Sequence, residues 1–194
     1  MRPQRQPFHL HRDPNLASLP IEDIRAILRA ADPLIATGGR TLLTKILKGS
    51  RAKDVLVHGL HTNPCHGYYQ HLTPEEVLAR IDWTILNGYM QVEYAGQLPV
   101  LTYTPLGWSI EMEVFADEVV RGFDALLAGT ARPYDLLYLK DRHRGMVLRI
   151  LEKVQESGDR KYVPLLEDWA QLDYKKVQQE IRKVIRSLID RSAP

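Results

Sequence analysis

Apolar residues recur at helical spacing through Ile21, Ile24, Ile27, Leu28 and Ala31, with Glu22 and Asp23 in the first turn, where acids are favoured. Pro33 predicts the end of that helix, and Thr37-Gly38-Gly39 a turn. Leu42, Leu43, Ile46 and Leu47 predict a second helix that stops at Gly49. Ser50 is the expected N-cap of a third, with Ala52, Val55 and Leu56 on one face. Thr73-Pro74-Glu75-Glu76 is a capping-box start, and Val77, Leu78, Ile81, Ile85 and Leu86 mark the buried face that follows, up to Gly88. The period then changes. Tyr89 to Tyr94 and Leu98 to Thr104 read as two strands around Ala95-Gly96-Gln97, with Pro99 at an edge or a strand start.

Helical spacing returns between Ser109 and Leu127, where Ile110, Val114, Phe115, Val119, Phe123 and Leu126 are spaced for burial. Gly129 to Pro133 is the expected boundary. Beyond it three amphipathic helices follow, carried by Met146–Val154, Tyr162–Trp169 and Tyr174–Leu188, with Asp173 as the expected cap of the last. The stretch before the first helix holds prolines, arginines and histidines without periodicity. The expected organisation is a flexible arm over 1–18, a domain with flanking helices over 19–130, and an α-helical segment over 131–194. The fold class is mainly α with a small β-hairpin.

Composition bounds the chemistry. Hydrophobic content of 44% and charged content of 26% suit a globular domain with a real core. One cysteine, Cys65, excludes an internal disulfide and a four-cysteine zinc site. No apolar run reaches the length of a membrane span and the start lacks a signal-peptide core, so a cytoplasmic, nucleoid-associated location is expected. The net charge of +2 is small, but Arg40, Lys45, Lys48, Arg51 and Lys53 come before any acid until Asp54. Such a local run suits phosphate contact, although it is also what a solvated helix face looks like. His58, His61, Cys65, His66 and His71 cluster, but at spacings that match no zinc pattern. No nucleophile motif, glycine-rich phosphate loop or set of metal-binding carboxylates is present, so no catalytic residue, metal or cofactor is expected.

Three helices followed by a hairpin is the winged-helix plan. Gly39-Arg-Thr-Leu-Leu-Thr-Lys-Ile-Leu-Lys-Gly-Ser-Arg-Ala-Lys-Asp-Val, Ile81-Asp-Trp-Thr-Ile-Leu-Asn-Gly-Tyr and Leu101-Thr-Tyr-Thr-Pro-Leu-Gly together resemble the RecQ C-terminal domain of RecQ helicases. The chain is more similar still to stand-alone bacterial proteins in which that domain occurs without a motor. Gly158 to Trp169 and Asp173 to Val177 resemble one HEAT-type repeat. The cysteine-rich zinc module and the ATPase phosphate loop of the helicases have no counterpart here, so ATP-driven unwinding is not expected of this chain.

What the resemblance implies is DNA binding without catalysis, directed at duplex ends, forks or junctions, in repair or recombination. The turn between the second and third helices and the start of the third would grip phosphates through Lys45, Lys48, Ser50, Arg51 and Lys53, with Arg40 and Thr41 on a neighbouring phosphate. Tyr94, beside the hairpin tip, would stack on a terminal base pair; packing across the hairpin on Leu98 or Val100 is its structural alternative. Two other readings stay open: a transcription regulator that reads bases with Arg80, Thr84 and Asn87, and an adaptor whose C-terminal helices dock a helicase or nuclease.

Overall fold

A computed structural model describes residues 5–129 and 131–190. It is mainly helical with a single two-stranded antiparallel sheet among those residues, a winged helix followed by further helices. The chain divides into two compact units, Met1–Glu111 and Met112–Pro194, so the division falls inside a helix, ahead of the glycine–proline stretch at 129–133.

In the first unit, α1 (Ile21–Ala31) buries Ile24, Ile27, Leu28, Ala30 and Ala31, and Pro33 diverts the chain into a single 3-10 turn. α2 (Arg40–Leu47) packs on α1 and buries Leu43, Ile46 and Leu47. It ends at Gly49, whose φ of +73° favours glycine. Gly49 also lies against Gly67, where an added Cβ would stand 3.0 Å from the Gly67 Cα. This contact seats the histidine-rich loop on the end of α2, where the N–H groups of Gly67 and Tyr69 donate to the carbonyls of Ile46 and Leu47 at 2.9 and 2.8 Å.

The third helix, α3 (Lys53–Val57), has only five residues and starts later than expected. Ala52 occupies its N-cap position, while the Ser50 hydroxyl accepts from the Ala52 N–H at 3.2 Å in a local turn. Ser50 therefore shapes the approach to α3 and does not cap it. α3 buries Val55 and leaves Leu56 and Val57 exposed.

α4 (Pro74–Leu86) has both halves of the expected capping box between Thr73 and Glu76. The bond from the Thr73 N–H holds the Glu76 carboxyl below its ordinary range. Val77, Ala79, Ile81, Asp82 and Thr84 are its buried residues, whereas Leu86, assigned to the core face by spacing, is exposed in the last turn. β1 (Met90–Ala95) pairs with β2 (Leu98–Tyr103), with Tyr94 opposite Pro99. The tip is Gly96-Gln97, and Gly96 has φ +65°. On the far edge of β2, Leu101 donates to the Gly38 carbonyl at 2.9 Å and accepts from Ala36 at 2.8 Å. Pro99 shares the parity of Leu101, so its missing donor faces outward and costs the hairpin ladder nothing.

α5 (Pro105–Gly129) begins four residues before the apolar periodicity does. The Thr104 hydroxyl accepts from the Gly107 N–H at 3.2 Å and Pro105 takes the first helical position. Gly107 allows this early start: a Cβ there would stand 1.9 Å from the Tyr89 carbonyl oxygen. Its first turns complete the unit, with Glu111 buried 3.9 Å from the Arg29 guanidinium.

The second unit continues α5 and adds α6 (Arg144–Ser157), α7 (Val163–Leu172) and α8 (Lys175–Asp190). Phe123, Leu136, Ile150, Leu165, Trp169 and Ile181 are fully buried there. Ion pairs reinforce it: Arg149 and Lys153 bind Glu113, and Arg132 binds Asp168. The Asp173 carboxylate accepts from the Trp169 indole at 2.9 Å and from the Tyr174 N–H at 2.7 Å, so it joins α7 to the residue before α8. No helix among the described residues is long and apolar enough to cross a membrane.

Candidate nucleic-acid interface

The eight candidate residues fall into two groups on the first unit. Around the α2–α3 turn stand Lys45, Lys48, Ser50, Arg51 and Lys53. Lys45 is drawn to Asp54 at 2.5 Å, and this hydrogen bond holds the Asp54 carboxyl below its ordinary range. Both side chains remain more than a third exposed, so water screens the pair and a phosphate could compete for the lysine. Asp54 also accepts from the Val55 N–H at 3.0 Å, which puts a carboxylate at the start of α3, where an anion was expected to sit.

Lys48 is spent differently. Its ammonium donates to the main-chain carbonyls of Gln70 and Leu72, linking the end of α2 to the approach of α4. Arg51 and Lys53 are exposed and make no hydrogen bond or ion pair among the described residues. They are the two uncommitted cations of this group. The Ser50 carbonyl is 3.0 Å from His66 Nε2, which with the Lys48–Gln70 bond draws the histidine-rich loop to the turn. Among the described residues no group of three or more histidine, cysteine or acidic side chains could hold a metal ion.

The second group lies where the hairpin meets the start of α2. Arg40 donates to the fully buried Asp82 of α4 at 2.5 Å, and the other Asp82 oxygen accepts from the His11 N–H at 2.8 Å. Thr41 is exposed beside it. A groove here is lined by Arg40, Thr41, Val92 and Leu98 together with Phe8 and His9 of the amino-terminal stretch. That stretch forms no helix or strand between residues 5 and 18, yet it is laid along the wing. Gln6 donates to the Gln97 carbonyl at 3.0 Å. The Tyr94 hydroxyl donates to the Gln6 carbonyl at 2.9 Å, the Arg5 guanidinium lies 4.8 Å over the Tyr94 ring, and Phe8 lies 6.0 Å from it. Arg40 in turn stands 5.7 Å over the Phe8 ring. Arg5, Tyr94, Phe8 and Arg40 thus form one stack of alternating chain segments. Tyr94 packs on this arm rather than across the hairpin on Leu98 or Val100; the exposed apolar side chain at the tip is Leu98. Sequence reasoning had no signal for these contacts, because an aperiodic segment that bonds through its main chain leaves no pattern of side chains.

α4, the helix with the residues suited to base edges, has little to offer them. Arg80 donates to the Glu76 carbonyl and lies 5.6 Å over the Tyr69 ring. Thr84 is fully buried and donates to the Ile81 carbonyl. Asn87 donates to the Trp83 carbonyl, and Trp83 donates to Ala17 of the arm. The exposed charge at its N-terminal end is acidic, from Glu75 and Glu76.

Residues 21–119, from the start of α1 into α5, match the RQC domain family, a winged-helix DNA-binding domain of RecQ helicases. No curated protein and no solved structure matches the chain. With more than half of its length matched, and with the helices and wing in the order that plan requires, the chain belongs to the RQC domain family.

Proposed function

We propose that this protein binds DNA without catalysing a reaction on it, recognising the backbone and shape of duplex ends, forks or junctions rather than a base sequence. One observation carries the reading. Arg80 and Thr84 of α4 and Asn87 at its end, the side chains suited to base edges, are engaged within the protein, whereas Thr41, Arg51 and Lys53 are exposed and uncommitted near the start of α2 and the α2–α3 turn. Phosphate contacts position a protein and read no sequence; base-edge contacts specify, and Arg80, Thr84 and Asn87 are committed elsewhere. Lys45 joins the free cations when phosphate displaces Asp54. Arg40 reaches a phosphate by exchanging Asp82, and Tyr94 reaches a base by exchanging Arg5 and Phe8. A role in repair or recombination follows from a preference for such structures.

The test is a salt-titrated comparison of blunt duplex, fork, single strand and four-way junction at equal length. The expected outcome is steep salt dependence, a preference for ends or forks, and weak discrimination among random duplexes. A selection from random duplexes that returns one tight motif refutes it and favours a transcription regulator. Tyr94→Ala isolates the wing: if junction binding and duplex fraying both stay unchanged, strand separation by this aromatic is ruled out.

A further inference from the structure

We propose that α8 carries a second binding surface for the phosphate backbone of a nucleic-acid duplex, built from Lys175, Arg182 and Arg186 with Gln179 among them. At about 100° per residue these four fall within an arc of roughly 60°. Ile181, Val184 and Leu188 are buried on the opposite side, so packing fixes the basic stripe outward. All four stripe residues are exposed.

Clustering on one helix face sets the stripe apart; Arg121, Lys140, Arg144 and Arg160, also without an ion pair among the described residues, lie elsewhere in the unit. Arg149, Lys153, Lys161 and Arg132 in the same unit are matched to Glu113, Asp117, Asp124 and Asp168, and Lys183 beside the stripe is matched to Glu180. Lys175, Lys176, Arg182 and Arg186 make no ion pair among the described residues. Helix stability does not account for them. Lys175 and Lys176 stand in the first turn, where the helix dipole disfavours cations, and Arg182 and Arg186 repel each other at i,i+4.

From Lys175 to Arg186 the helix rises about 16 Å, the reach of several phosphates along one strand. The stripe shares its chain with an RQC domain, the DNA-binding family that residues 21–119 match. The inference therefore rests on the DNA-binding reading above. Anionic lipid headgroups share the phosphate chemistry, and the experiment separates the two.

The full chain and its K175E/R182E/R186E variant are titrated with a duplex of about 30 base pairs across 50–200 mM salt. A first-turn glutamate at position 175 favours the helix, and unchanged circular dichroism shows that the variant folds. Three lost contacts make the slope of log K against log salt shallower by about 2.7, and affinity at the lowest salt falls at least about tenfold. R51E/K53E, measured alongside, reports the first unit alone. A triple variant with the affinity and slope of the wild type overturns the stripe and leaves the DNA-binding reading standing. Unchanged duplex binding with lost binding to phosphatidylserine vesicles overturns it in favour of a lipid. A wild type with no salt-dependent duplex binding overturns both.

Discussion

Replacing Asp82 by asparagine separates what Arg40 does for the fold from what it does for DNA. Asp82 is fully buried and its carboxylate serves two donors, Arg40 at 2.5 Å and the His11 N–H at 2.8 Å, while the Arg40 side chain keeps 17% of its exposure. Removing one partner of a buried pair costs about 3–5 kcal/mol, because the other charge is left uncompensated. Asparagine keeps the volume and one acceptor but must turn its amide donors toward another donor, so the expected loss is about 2–3 kcal/mol. In a unit of this size that lowers the melting temperature by about 10–20 °C. Circular dichroism melts and urea titrations measure it. The same change spares the guanidinium the exchange it must otherwise make, so duplex affinity should rise at every salt concentration while the salt slope stays about the same. A stability loss under about 1 kcal/mol refutes the reasoning about the pair. The expected loss with unchanged duplex affinity means that Arg40 is a strut and not a DNA contact. Replacing both partners, as Arg40→Met with Asp82→Leu, should regain most of the lost stability.

Gly107→Ala should cost more than about 3 kcal/mol in a urea titration, since the new methyl would press on the Tyr89 carbonyl, which is backbone and cannot rotate away. Phe8→Ala removes an aromatic contact of about 0.5–1.5 kcal/mol from the arm; hydrogen exchange at Gln6 should quicken and fork affinity rise about threefold, whereas a fall would make the arm a DNA contact in its own right. In the second unit the hydrogen bonds from Arg132 to Asp168, from Arg149 to Glu113 and from Tyr162 to Asp124 hold those carboxyls below their ordinary range. Groups with depressed folded values add stability that is complete above the unfolded values of about 4 and lost as pH falls through the lower folded ones. Urea midpoints for this unit should therefore be flat from pH 7 to 5 with respect to these groups, fall below about pH 4, and fall less steeply in Asp168→Asn.

The elements that the sequence made legible are those whose causes are local. The capping box at Thr73, the hairpin around Gly96 and the left-handed stop at Gly49 each depend on a few adjacent residues, and they stand where the pattern puts them. The start of α5 escaped the pattern because it is set by the approach of Gly107 to Tyr89, a contact between segments. The candidate interface shows the same divide. A run of five cations was plain in the sequence, but Arg40 is matched to an acid 42 positions away and Lys48 to two main-chain carbonyls. Neither partner follows a helical or strand period. Arg51 and Lys53 have no such partner, and for them the composition of the run was a fair guide.

The bond from the Trp169 indole to Asp173 gives the protein an internal optical reporter. Trp169 is fully buried and hydrogen-bonded within the second unit, while Trp83 and Trp108 both lie in the first, the former bonded to the arm at Ala17. With Trp83 and Trp108 replaced by phenylalanine, the remaining emission comes from a shielded indole and shifts to the red only when residues beyond Glu111 unfold. With Trp169 replaced instead, it follows the wing and its arm. The two units can thus be watched melting one at a time in the intact chain, without attaching a dye.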